Sequence, residues 1–178
     1  YGWSIDEDTE LVNLQNSILN GEVVTREPAY YAGGTAAAHS GQDWGNTYAE
    51  VDMSAQHMWY VQNGQVVLET DVVTGEPIPS KITPEGVYSL MWKQPNSVLV
   101  GDINPDTGEP AYRTKVKYWM QVTSSGVGFH DATWQTAFGG TLYQIPGTGS
   151  HGCINMPLDQ AGALFNMIEP GTPVIFHW

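Results

Sequence analysis

The chain has 178 residues, 41% of them hydrophobic and seven of them tryptophan, enough to bury one medium core. Six Lys and Arg stand against 19 Asp and Glu, a net charge of -13, which argues against nucleic acid and anionic membrane surfaces as partners. One cysteine excludes an internal disulfide and a cysteine-rich zinc site, and no stretch is apolar for long enough to span a bilayer.

Residues 4–20 read as a helix. Ser4-Ile5-Asp6-Glu7 offers a capping box, Leu11, Leu14 and Ile18 fall on one face, and Asn20-Gly21 ends it. Residues 22–45, rich in Gly, Ala, Pro and Ser, read as a surface linker. From Thr47 the pattern changes to strands. Tyr48–Met53 alternates in part. His57–Gln62, the turn Asn63-Gly64 and Gln65–Val73 form a hairpin. A Pro-rich loop, 77–84, leads to short strands at Val87–Trp92 and Val98–Val100. Asp102–Gly108 invites a calcium reading and fails it. Its glycine sits one place late, and Arg113 stands where the loop needs a glutamate, so two adjacent turns are expected. Lys115–Val122 is an aromatic-rich strand whose Tyr118 and Trp119 point to opposite faces. A strand at Val127–His130 follows. Pro157–Glu169 reads as a helix stopped by Pro170-Gly171, and Val174–Phe176 as a closing strand.

The chemistry concentrates in Ser150-His151-Gly152-Cys153-Ile154-Asn155 and, upstream, in Gly128-Phe129-His130-Asp131. A thiol becomes a nucleophile when a base takes its proton or a positive field stabilises the thiolate. No Lys or Arg follows Lys117, so only histidine, or the dipole of the helix after Cys153, is left for the task. His130, at a strand end, is rigidly presented and is the preferred base; His151 takes a positioning role. Gly152 lets backbone approach a ligand, so amides near Gly152 and Cys153 can meet an oxyanion. Taken singly, a lone cysteine is more often a small buried hydrophobe and a strand-end histidine a core residue.

The combination is more specific. His130-Asp131-Ala132-Thr133-Trp134, the Gly139-Gly140 loop and Ser150–Asn155 resemble the catalytic signature of the L,D-transpeptidase family, the YkuD-type domain. Thr83-Pro84-Glu85-Gly86-Val87-Tyr88 is similar to its Thr-Pro-x-Gly-x-Tyr segment, and Val116–Met120 to the stretch before its catalytic strand. The resemblance covers roughly residues 48–178. One departure is visible: residues 131–149, between His130 and Ser150, run a little longer than the family's usual gap, with the extra length expected at Ile145–Gly149.

The resemblance implies a mostly β protein, a β-sandwich of mixed sheets, with one helix after the catalytic cysteine and an N-terminal helix from an upstream region. Residues 1–45 would be the remnant of a peptidoglycan-binding domain, whose tail Tyr1-Gly2-Trp3 resembles, and 46–178 the catalytic domain. Cys153 would be the nucleophile and His130 the general acid and base. Asp131 would orient the imidazole, through its carbonyl or its side chain. Ser150, His151, Gly152 and Asn155 would shape the pocket, with Trp134 and Tyr118 as walls. The implied activity is transfer between peptidoglycan stem peptides through a cysteine thioester, forming 3→3 cross-links and releasing D-Ala. The implied inhibitors are carbapenem-type β-lactams, and no metal or other cofactor is implied. The implied location is extracellular, at the cell wall, with any membrane anchor upstream of Tyr1. A carboxypeptidase is the near alternative. A papain-like or NlpC-type hydrolase would place its cysteine before its histidine and on a helix; a non-catalytic wall-binding module would not need both residues.

Overall fold

The computed structural model describes residues 5–29 and 44–178. The chain divides into two compact units, Tyr1–Gly45 and Asn46–Trp178. In the first, α1 runs Glu7–Asn20. The capping role expected of Ser4, the tail Tyr1-Gly2-Trp3 and linker residues 30–43 lie outside the described residues. Asp6 is the cap: its carboxylate accepts from Thr9 N at 3.0 Å and Thr9 Oγ1 at 2.8 Å. Gly21, at φ +66°, closes the helix, its N–H donating to Ile18 O. The chain then turns back, and Arg26 pairs with both carboxylate oxygens of Glu10 at 2.8 and 2.9 Å.

The second unit holds two mixed sheets. One is built from β1 (Tyr48–Asp52), β2 (His57–Gln62), β3 (Gln65–Asp71), β4 (Gly86–Ser89) and β9 (Pro173–His177), in the order β3-β2-β1-β9-β4. The other is built from β5 (Trp92–Val100), β6 (Arg113–Gln121), β7 (Gly128–Asp131) and β8 (Ile154–Met156), in that order. The pairs β1/β9 and β7/β8 are parallel; the rest are antiparallel. Val51, Tyr60 and Phe176 from one sheet, Met120, Phe129 and Ile154 from the other, and Leu164 from helix α2 (Leu158–Met167) share one buried core. Among the described residues no helix is long and apolar enough to cross a membrane.

Asn63 and Gly64 take φ +53° and +79°, the conformation that makes this dipeptide a tight hairpin turn. Two strand expectations are revised. The run expected at Val87–Trp92 splits, because the chain changes sheets there: Leu90 N–H donates to Thr172 O, and Met91 N–H donates to Gln121 O in the second sheet. The strand expected at Val98–Val100 begins instead at Trp92 and passes through Pro95. It is an edge strand, where a missing N–H need not break a ladder. Across the sheet, Lys93 Nζ donates to Phe165 O at 3.0 Å and Ile168 O at 2.7 Å, so a cation meets the C-terminal carbonyls of α2.

A segment outside the ladders ties this frame together. Gln56, fully buried, donates through Nε2 to Met53 O and Thr74 Oγ1, both at 2.7 Å, and accepts from Thr74 N at 2.9 Å. Residues 72–76 are thereby fixed as a strap beside β8, where Val73 and Asn155 exchange both backbone hydrogen bonds.

Candidate active site

Strands β7 and β8 run parallel with Phe129 opposite Ile154 and His130 opposite Asn155. Side chains alternate along a strand. Phe129 and Ile154 are fully buried in the core, so His130 and Asn155 look the other way. That face opens on a cavity of about 560 Å³, lined by His130, Asn155, Cys153, Ser150, Tyr112 and Trp134 among others. The two residues singled out for catalysis thus share one cleft.

His130 is 3% exposed, with the rings of Trp119 and Trp134 at 6.0 and 5.9 Å. Its Nδ1 lies 3.0 Å from Asp131 O. A carbonyl oxygen only accepts, so Nδ1 carries the hydrogen and Nε2 keeps a lone pair. Burial pushes the imidazole below its ordinary 6.5, against the raising effect of the Asp131 carbonyl. The ring is therefore neutral at pH 7 and competent as a base. Of the two orienting roles open to Asp131, the backbone carbonyl is the one used. Its carboxylate accepts instead from Lys117 N and Tyr118 N, each at 2.8 Å, locking β7 to β6.

Cys153 is partly exposed to the cleft, yet its surroundings are mostly protein, and burial pushes its thiol up to about 11. A hydrogen bond from the Gly128 backbone works weakly in the other direction. The thiol donates to Gly126 O at 3.6 Å. The expected help from a helix dipole is not realised. The three residues of β8 and Pro157 stand between Cys153 and the first turn of α2, and the dipole's influence fades within one turn. At neutral pH the pair rests as thiol and neutral imidazole.

The loop before Cys153 is held by its own residues. Ser150 Oγ donates to Cys153 O and accepts from Gly152 N at 3.0 Å. The Gly152 amide is thus already engaged, leaving the Cys153 amide of the two proposed for an oxyanion. Gly152 takes φ +112°, and a Cβ there would stand 3.2 Å from Val127 Cγ2. Its carbonyl accepts from Thr83 Oγ1 at 2.8 Å, and Thr83 in turn accepts from Gly75 N at 2.9 Å. Buried Thr83, the first residue of the Thr-Pro-x-Gly-x-Tyr segment, therefore sets the carbonyl next to Cys153.

Residues 46–176 match the model of the L,D-transpeptidase catalytic domain, YkuD. The chain belongs to that family. A solved cysteine-to-serine mutant of an Enterococcus faecium L,D-transpeptidase aligns with 99% of this chain and 66% of its own, at 42% identity and a TM-score of 0.81. The catalytic domain from E. faecium L,D-transpeptidase acylated by ertapenem aligns over 74% of this chain and 97% of its own, at 46% identity and a TM-score of 0.62. L,D-transpeptidase 1 of Mycobacterium tuberculosis is 30% identical over 126 residues, 68% of this chain and 47% of the relative. The chain spans about half, or less, of the length of the curated relatives it matches.

Within this L,D-transpeptidase domain, the remaining site residues fall into three groups. Trp134 lines the cleft and is half exposed, and His151 lines it with its ring 5.1 Å from that of Tyr112. Tyr118 is a correction: it is not among the residues lining the cleft. Its ring packs on Phe165 at 5.3 Å and against Gly162, beneath α2. Trp119, its neighbour on the opposite face, is the one beside His130. Tyr112 went unnoticed in the sequence, because the stretch before β6 read as turns. No sequence signal pointed to it; only in the fold does its ring lie over Gly101, where a Cβ would stand 2.6 Å away.

Proposed function

We propose that this domain is a peptidoglycan L,D-transpeptidase that forms 3→3 cross-links through a thioester on Cys153. The observation that carries the reading is a neutral imidazole, its Nδ1–H fixed on Asp131 O, opening on the same cleft as the one thiol. Membership of an enzyme family whose E. faecium catalytic domain is acylated by ertapenem supports it.

The steps follow from the resting state. The carbonyl of the third residue of a tetrapeptide stem meets Sγ of Cys153. As the C–S bond forms, Nε2 of His130 takes the thiol proton, and the Cys153 amide faces the developing oxyanion. The imidazolium then protonates the nitrogen of D-Ala, the C–N bond breaks and the thioester remains. The side-chain amine of a second stem attacks, His130 takes its proton and returns it to sulfur, and the cross-link leaves. Water in place of that amine makes the same site a carboxypeptidase.

Asn155 supplies an orienting group. Its Nδ2 donates to Gln135 Oε1 at 2.6 Å, whereas its Oδ1 is buried with no hydrogen-bond partner. An unmet buried acceptor is costly, and a small rotation of the Asn155 amide would be needed to offer it to a peptide N–H of the donor stem. Carbapenems would acylate the same sulfur. This substrate implies extracellular work at the cell wall.

The test is mass spectrometry of the chain incubated with a disaccharide-tetrapeptide. A mass increase equal to the tripeptidyl acyl group is expected on Cys153 and absent in Cys153→Ala. A chain that binds the peptide without gaining mass overturns the proposal.

A further inference from the structure

In the rim loop at residues 145–149, Gly147, Thr148 and Gly149 form part of the cleft wall. Within the loop, Thr148 N–H and Gly149 N–H donate to Ile145 O at 2.9 and 3.4 Å. Two side chains reach the loop. Gln135 Nε2 donates to Thr148 O at 3.3 Å. The stronger anchor is Glu76, 7% exposed, whose Oε1 accepts from Gly147 N at 3.0 Å and from Lys81 Nζ at 2.8 Å. Gly149 packs so closely that a Cβ on it would stand 2.6 Å from Glu76 Cγ. Glu76 also ends the strap that fixes the nucleophile loop, its N–H donating to Ser150 O at 3.0 Å. One segment therefore registers both the wall and the sulfur.

We propose that Glu76, paired with Lys81, is a positioning residue that fixes the wall Gly147–Gly149 relative to Cys153 and so sets the grip on the donor stem peptide. This rests on the transpeptidase reading for its substrate, not for its geometry. Glu76 touches neither sulfur nor imidazole. Its loss should loosen the wall and spare the chemistry of the thiol. Lys81 holds the Glu76 carboxyl below the usual carboxylate range, so the anchor stays charged at neutral pH.

The experiment compares wild type, Glu76→Ala and Glu76→Gln in the full chain. Three quantities are read: amide exchange at Gly147 by NMR, KM and kcat with the disaccharide-tetrapeptide, and alkylation of Cys153 by iodoacetamide. For Glu76→Ala, exchange at Gly147 and KM should each rise about ten-fold, the loss of one charge-assisted hydrogen bond, with kcat and alkylation changing far less. Glu76→Gln, which keeps an acceptor for Gly147 N–H, should recover part of both. Unchanged exchange at Gly147 overturns the anchor. Alkylation falling in step with turnover also overturns it, because Glu76 would then support the whole site. If wild type forms no acyl-enzyme, the function reading fails, while exchange at Gly147 still decides the anchor.

Discussion

The two sides of the cleft are built differently. On one side, β7, β8 and the strap at 72–76 are tied by ladder bonds, by Ser150 and Thr83, and by the Asp131 carboxylate on β6. Their side chains are almost wholly buried. On the other side stand Trp134, His151 and the rim loop, exposed or held by single side chains. His130 and Cys153 belong to the rigid side, and the more exposed cleft-lining residues to the lightly held one. Under the proposed reaction, fixed chemistry would then stand beside a wall held by fewer bonds.

The contrast predicts large losses from the rigid side and graded ones from the wall. His130→Ala should lower the rate of acyl-enzyme formation by about 10²–10⁴-fold, measured by mass-resolved acylation kinetics. A loss below ten-fold would remove His130 as the base. Thr83→Val keeps the shape but removes the hydroxyl between Gly152 O and Gly75 N. It should cost roughly 1–3 kcal/mol in urea unfolding and slow acylation as the loop relaxes. Tyr112→Leu, on the wall side, should raise KM several-fold, because the Tyr112 ring lines the cleft beside His151 and within electrostatic reach of Cys153. Lys93→Met, far from the cleft, should cost about 1 kcal/mol in stability and leave KM alone.

The pH dependence sharpens the same contrast. His130 is held below its ordinary 6.5, so the base form persists on acidification and the acid limb of kcat/KM should lie below pH 6.5. The sign for stability follows. The unfolded chain takes up this proton first, so stability falls as pH drops from 6.5 toward the folded value and is then level with respect to this group. An acid limb above pH 6.5 would contradict the burial argument. In His130→Ala, alkylation of Cys153 should keep rising with pH toward about 11.

Much of the site's arrangement was legible because the signals are local. Residues 150–155 and the His130-Asp131 pair single out by type and order a thiol and an imidazole that line one cleft, and Asn63-Gly64 and Gly21 mark turns that need positive φ. What was hidden depends on partners distant in sequence. β8 is three residues long, too short to show a period, and exists because β7 and the strap pair with it. Alternation placed Tyr118 and Trp119 on opposite faces but not which face meets the cleft; α2, packing on Tyr118, decides that. The engagement of the Gly152 amide by Ser150 is likewise a matter of loop geometry, invisible in the order of residues.

A solitary cysteine opening onto a solvent-filled cleft is open to attack by oxidants. Peroxide attacks thiolate far faster than thiol, and a sulfur whose proton leaves only near pH 11 presents almost none of the vulnerable form at neutral pH. The burial that makes Cys153 a reluctant acid thus doubles as chemical shelter, and under the proposed mechanism its nucleophilicity would be released only as His130 removes the proton.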